Sequence, residues 1–392
     1  MTTPLHVERR LPAGFLADSL RADARAGLTA VPKSLPPKWF YDAAGSELFE
    51  KITGLPEYYP TRAEREILHD VAGQIAAASG AGTLVELGSG YSEKTRLLID
   101  ALRSAGTLQT YVPVDVSESA LVTAARALLA EYPGLQVRAV VSDFEQQLGL
   151  PAADGVPRLV AFLGSTIGNL LPAQRAAFLA RVRASLGAGA SLLLGTDLVK
   201  DPAVLLAAYD DDAGVTAAFN KNVLAVLNTE MGADFDLDAF EHVAAWDADQ
   251  EWIEMRLRAA TAQTVHLPGI GLTASFAAGE EMRTEVSAKF RRERVTAELA
   301  AAGFALREWW TDSEDRFGLS LSVPRLRAGP EVMHRVDAGR GGGTRLEFSG
   351  RYRLDVDRTE SLIDHGQAGR ARARPFAQPR ADQGSAGGRP DR

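Results

Sequence analysis

Residues 83–90 read TLVELGSG, a short apolar run carrying one acid and ending in a glycine loop. No polar alternation interrupts Thr83, Leu84, Val85 and Leu87, the pattern of a parallel strand buried on both faces. Gly88 and Gly90 have no Cβ, so the backbone can turn sharply there and a ligand can come close to it. Ser92 is placed to cap a following helix that has Glu93 in its first turn. A strand, a glycine turn and a helix N-terminus together form the usual nucleotide-holding unit of an α/β sheet.

Working outward, the pattern predicts helices over 16–25, 63–79, 94–104, 117–132 and 174–186. It predicts strands over 83–88, 110–116, 137–144, 158–164 and 190–197. Strands alternating with helices indicate a doubly wound parallel sheet. The alternation lapses after Asp197. Residues 198–228 read as helical and 251–276 as two long strands, so 198–284 is expected to be an inserted α+β unit. A helix over 294–302 and strands over 304–311 and 317–323 then resume the sheet. Residues 32–62 hold Trp39, Phe40, Tyr41, Phe49, Tyr58 and Tyr59 among too many prolines and glycines for one helix. Such a segment packs as a lid, lines a pocket or docks on the core. From 325 onward the chain turns rich in Arg, Gly, Ala and Pro and loses its apolar period, so 325–392 is expected to be a disordered tail.

Composition narrows the function. The 392 residues carry a net charge of −8, which argues against a nucleic-acid-binding body, and no cysteine, which removes disulfides, thiolate nucleophiles and zinc–thiolate sites. No stretch reaches the roughly 20 apolar residues of a membrane helix, and no signal-peptide core opens the chain, so a cytoplasmic location is expected. Asp210, Asp211 and Asp212 read as a solvated helix end, the histidines lack metal-ligand spacing, and no metal is assigned.

The glycine loop itself discriminates between nucleotides. In G-S-G-Y-S-E, Glu93 stands where a dinucleotide fingerprint needs its third glycine, and no G-K-[ST] follows a glycine loop. The remaining common ligand is S-adenosylmethionine. Glu86, Asp115 and Asp143, the last followed by Phe144, fall near the ends of successive strands, where α/β sheets bind ligands. One acid there is as readily a turn or helix cap; three in succession favour a ligand site.

Longer strings carry more. SLPPKWFYDAAGSELFEKITGLPEYYPTR, VELGSGYSEKT, FLGSTIGNL, LLLGTDLVKD, AYDDDAGVTAAFNKNVL and GEEMRTEVSAKF occur in this order. In them the chain resembles the histidine-specific methyltransferases, the L-histidine Nα-methyltransferases of ergothioneine biosynthesis, over about residues 15–324. One departure is Tyr91, where a small residue is expected. The resemblance implies a Rossmann-like class I methyltransferase sheet with an inserted, smaller α+β substrate domain. Its divisions are 1–62, joining the substrate domain; 63–197 and 285–324, binding the cofactor; and 198–284, binding the substrate. It implies trimethylation of the α-amine of L-histidine to hercynine by a monomer. It places Gly88, Lys94, Asp115, Asp143 and Phe144 around S-adenosylmethionine. For the amino acid it points to Tyr58 and Tyr209 at the carboxylate, Asn169 at carboxylate and amine, and Glu285 and Ser287 at the imidazole. Thr166, Met255, Tyr41 and Phe49 are further candidates, the last two beside the methylated nitrogen. A methyltransferase for another amine and a non-catalytic S-adenosylmethionine-binding regulator are the rival readings.

Overall fold

The computed structural model describes residues 5–90, 94–146, 148, 150, 155–187 and 189–325. Tyr91, the expected cap at Ser92 and Glu93, and the tail beyond 325 lie outside the described residues.

In chain order the elements are β1 (His6–Arg9), α1 (Phe15–Thr29), α2 (Ala43–Thr53), α3 (Pro60–Ser79), β2 (Thr83–Leu87), α4 (Thr95–Ser104) and β3 (Thr110–Asp115). Then come α5 (Glu118–Glu131), β4 (Gln136–Val141), β5 (Arg158–Phe162), α6 (Pro172–Ser185) and β6 (Ser191–Asp197). After them follow α7 (Pro202–Tyr209), α8 (Val215–Met231), β7 (Phe240–Asp247), β8 (Trp252–Ala259), β9 (Gln263–Leu267), β10 (Leu272–Phe276) and β11 (Glu281–Ala288). The chain closes on α9 (Arg292–Ala301), β12 (Phe304–Thr311) and β13 (Phe317–Pro324).

Eight strands form one sheet in the order β1-β4-β3-β2-β5-β6-β13-β12. The first six run parallel, and β13 and β12 pair antiparallel at one side. All five residues of β2 and of β5 are buried, as their unbroken apolar character requires. The chain runs from β2 to β3 on one side and later returns to β5 on the other. The crevice at the carboxyl ends of β2 and β5 is therefore the topological switch point of a Rossmann-like sheet, where ligands bind.

Between β6 and α9 the chain builds a three-stranded antiparallel sheet, β11-β8-β7, and a hairpin, β10-β9. Residues 251–276 thus hold three strands where two long ones were expected. Strand β8 belongs to one sheet and β9 to another, a change of partner that alternation along the chain does not encode. The expected division at 284–285 runs through β11, which pairs with β8 from Glu281 to Ala288. The chain leaves the main sheet and returns to it at one place: Phe290 N–H donates to the Asp197 carbonyl (2.8 Å) and Val199 N–H to the Phe290 carbonyl (3.0 Å).

Three other readings change. The aromatic segment contains a regular helix, α2, because Asp42 accepts from Gly45 N–H (2.7 Å) and caps it. Gly45 has no alternative, since a Cβ there would lie 1.7 Å from the Phe40 carbonyl oxygen. The helical stretch 198–228 is two helices. Asp211 parts them by accepting from Val215 N–H (2.9 Å) and Thr216 N–H (2.7 Å), so it caps α8 and is buried, not solvated. Strand β4 ends at Val141, leaving Asp143 and Phe144 in the turn beyond, where the Asp143 carboxylate accepts from Glu145 N–H (2.9 Å).

Candidate active site

The glycine loop after β2 opens into the switch-point crevice. Gly88 and Gly90 have φ of 67° and 48°, left-handed values that a side chain would strain. Asp115, at the end of β3, accepts from Gly90 N–H (3.1 Å) and Ser117 N–H (3.0 Å). Burial raises its carboxyl, and the Ser117 and Gly90 N–H groups act against that rise. Phe144 lies over Gly88, with Cε1 3.5 Å from where a Cβ would stand. Asp143 is buried, with the Lys38 ammonium 3.9 Å away. The loop leaves Ser89 Oγ buried with no partner in the described residues, an orphan that fits a loop shaped around a ligand.

Glu86 does not join this wall. Its carboxylate points under the loop and accepts from Thr95 Oγ1 and Tyr111 Oη, tying β2 to α4 and β3. Burial pushes it up to about 7, and those two hydroxyls pull the other way. Glu86 therefore drops out of the run of three ligand-facing acids expected from strand ends. Lys94 pairs with the fully buried Glu64, whose two oxygens also receive Gly164 N–H (2.8 and 3.0 Å). Lys94 thus stands between the loops that follow β2 and β5.

Across the crevice, the turn Thr166–Asn169 follows β5. It begins at Ser165, a non-glycine residue at φ 59°, whose Oγ accepts from Asp197 N–H (2.9 Å). Thr166 Oγ1 donates to the Leu163 carbonyl (3.1 Å). Asn169 Nδ2 donates to Glu285 Oε1 and to the Val286 carbonyl, both at 2.8 Å. Both amide hydrogens are used, so Oδ1 is the open atom. It can accept from an amine and cannot donate to a carboxylate, which narrows the expected double role of Asn169.

Glu285 and Ser287 lie two apart on β11 and share a face, past a bulge at Thr284. Met255 is the cross-strand partner of Glu285 and is buried. Burial pushes the Glu285 carboxyl up to about 7, against the Asn169 N–H and the Lys289 charge. Ser287 Oγ is 2.7 Å from Tyr209 Oη. Burial, then Glu285 and Asp197, keep the Tyr209 phenol protonated; burial, then Tyr209 and Glu285, do so for Tyr58. Phe49 touches the rings of Tyr58 and Tyr41 edge-on, with centroids at 6.1 and 5.5 Å. Phe219 of α8 completes this aromatic wall, 5.4 Å from Tyr41.

The candidates for the amino acid thus form two connected groups, Asn169 with Glu285 and Ser287 with Tyr209, beside the ring cluster of Tyr41, Phe49 and Tyr58. Sequence reasoning missed Phe219, Glu64 and the buried cluster beneath Tyr209. There Asp197 accepts from Tyr59 Oη (2.8 and 2.9 Å), Lys200 (2.6 Å) and Lys289 (2.9 Å). Burial opposes ionisation of Asp197, but Lys289 and Lys200 together hold it below the usual carboxylate range. The available signal was Asp197 at a strand end and Lys289 two places after Ser287.

Comparison with known proteins gives a consistent result. The family described as histidine-specific, S-adenosylmethionine-dependent methyltransferase matches residues 20–324. A histidine N-alpha-methyltransferase of Mycolicibacterium smegmatis is 61% identical over 319 residues, 81% of this chain and 99% of that protein. One of Mycobacterium tuberculosis is 58% identical over 311 residues, 79% of this chain and 96% of its own length. Ergothioneine biosynthesis protein 1 of Neurospora crassa is 34% identical over 208 residues, 51% of this chain and 23% of that much longer protein.

Proposed function

The chain belongs to the S-adenosylmethionine-dependent, histidine-specific methyltransferases, and on that premise we propose that it trimethylates the α-amine of free L-histidine to hercynine, the first step of ergothioneine biosynthesis. As a member of this family it is an enzyme that methylates histidine with S-adenosylmethionine; the methyl count, the product and the residue roles are our reading. The observation that carries it is one side of the crevice, where Glu285 is held by Asn169 and Ser287 stands beside Tyr209.

S-adenosylmethionine supplies an electrophilic methyl group when bound. Gly88, Asp115, Asp143 and Phe144 would hold its nucleoside and Lys94 its far end. The fit rests on the open glycine loop and the orphaned Ser89 hydroxyl. The protein needs no nucleophile of its own, because the neutral amine attacks the methyl in line. It must align the amine and keep water out, and orientation of this kind supplies several kcal/mol of a barrier. Asn169 Oδ1 would accept an amine hydrogen and so aim the lone pair in the first two transfers, while the nitrogen still carries one. The hydroxyls of Tyr58 and Tyr209 would hold the carboxylate. Glu285 and Ser287 would each bond one imidazole nitrogen, so an amino acid without them would leave Glu285 unpaired. Thr166 and Met255 would line the same pocket. Each amine must shed its ammonium proton before it attacks, and the third transfer leaves a fixed cation. The Tyr41 and Phe49 rings would attract that cation by roughly 0.5–2 kcal/mol.

Mass spectrometry of a reaction with histidine and S-adenosylmethionine tests this. Mono-, di- and trimethylated histidine are expected in succession, and a reaction without methylated histidine would sink the proposal. Glu285→Ala should weaken histidine binding far more than binding of S-adenosylhomocysteine. Equal loss of both would mean the imidazole role is misassigned.

A further inference from the structure

Lys289 is the most deeply buried ammonium at the site and has no part in the mechanism above. Its side chain is 0% exposed. It donates to Tyr209 Oη (2.8 Å) and Ser287 Oγ (2.8 Å), and it pairs with Asp197 Oδ2 at 2.9 Å. Three N–H groups meet three acceptors, so the ammonium is saturated. We propose that Lys289 is a positioning residue for the amino acid: it clamps the Tyr209 and Ser287 hydroxyls into one unit and anchors that unit to the end of the cofactor sheet.

The hydrogen count gives the clamp its chemistry. Each hydroxyl oxygen has one lone pair occupied by Lys289. The contact between the two oxygens, at 2.7 Å, uses one of the two hydroxyl hydrogens. One hydrogen is left for the bound molecule. If Tyr209 donates that hydrogen to the carboxylate, Ser287 donates to Tyr209 and can only accept, from an imidazole N–H, a polarity that free hydroxyls would not keep.

The anchor is equally specific. Asp197 ends β6 and Lys289 follows β11, at the place where the inserted chain leaves and rejoins the main sheet. Lys289 also lies over the Tyr209 ring, 4.5 Å from its centroid. The charged and titratable groups around it are Asp197 and, through that carboxylate, Tyr59 and Lys200 below; Tyr209 lies beside it, and Glu285 is on the strand that precedes it. Its positive charge favours the ionised form of Glu285, the group that would accept an imidazole N–H.

This role rests on the histidine reading, and the test separates the two. Lys289→Met should raise the KM for histidine at least tenfold and leave the Kd for S-adenosylhomocysteine within threefold. The midpoint of histidine binding against pH should move upward by about half a unit or more, because Glu285 loses a nearby cation. A merely structural lysine would not move that midpoint. Should the methionine variant fail to fold, Lys289→Gln, which keeps two N–H donors without the charge, is expected to show the same upward shift. A folded variant with unchanged histidine KM and midpoint overturns the role, as does equal loss of both ligands. Wild-type protein that binds S-adenosylhomocysteine but not histidine overturns the histidine reading, and the role with it.

Discussion

Glu285 sits where a carboxylate is costly to ionise, and the proposed role is served best by the ionised form. Burial holds it up to about 7, against Asn169 and Lys289. The charged form accepts an imidazole N–H more strongly than the acid does, so histidine binding should strengthen as pH rises through about 7. The KM for histidine, measured between pH 6 and 8.5, is expected to fall across that step. In Glu285→Gln, which cannot titrate, the step should vanish and the KM stay roughly tenfold or more above wild type, from loss of a charged hydrogen bond. A step that persists in the glutamine variant would assign the titration to another group. At this scale the sequence supplied the candidate residues, because they fall inside long strings shared with a known family. It did not reveal Asn169's used amide hydrogens, or that Tyr209 and Ser287 touch. Tyr209 and Ser287 are 78 positions apart, and no local pattern pairs them.

Two elements show how the scaffold sets the site. Glu86 staples β2 to β3 and α4 from beneath the glycine loop. Its carboxyl rises from an ordinary 4.5 to about 7, so between those values the folded protein holds a proton that the unfolded chain does not. Stability should therefore decline as pH climbs through that window, by about 3 kcal/mol from this group. Glu86→Gln keeps an acceptor for Tyr111 or Thr95 and cannot ionise. Its melting temperature relative to wild type is expected to rise from pH 5 to pH 8; a constant difference would exclude this linkage. The turn Thr166–Asn169 depends on Gly168, where a Cβ would lie 2.8 Å from the Ala288 carbonyl oxygen and 3.2 Å from its nitrogen. Gly168→Ala must push the turn off β11 and displace Asn169. An ångström of displacement can cost about a hundredfold in rate, so kcat should fall by roughly ten- to a hundredfold while S-adenosylhomocysteine still binds. Full activity would mean that the turn has more room than its packing suggests. The existence of β2, β3, β5 and β6 was legible because a strand buried on both faces is apolar throughout. Strands β1, β7 and β11 were not: β1 and β7 are largely exposed or partly buried, β1 pairs with a strand far away in the chain, and β11 carries polar Arg283, Thr284, Glu285 and Ser287 in its middle.

At the scale of the whole molecule, the family match ends at residue 324, where β13 ends. Removal of everything beyond Arg325 is expected to leave kcat and both ligand affinities within about twofold; a larger loss would give the tail a role. No helix among the described residues is long and apolar enough to cross a membrane. The inserted three-stranded sheet carries Glu285, Ser287 and Met255, and the main sheet carries the glycine loop, Asp115 and the turn with Asn169. Asp197 and Lys289 pair where the chain passes between the two. The sequence by itself determined the α/β sheet, the nucleotide loop and, through its shared strings, the reaction class. These follow from local chemistry: apolar periodicity, glycines that permit left-handed backbone, and side chains in a set order. Only the tertiary structure decided that Glu86 faces the core, that β11 is one continuous strand, and that Lys289 joins Asp197, Tyr209 and Ser287. Burial and hydrogen-bond saturation arise when distant segments exclude water from one another, and neither is a property of a segment alone.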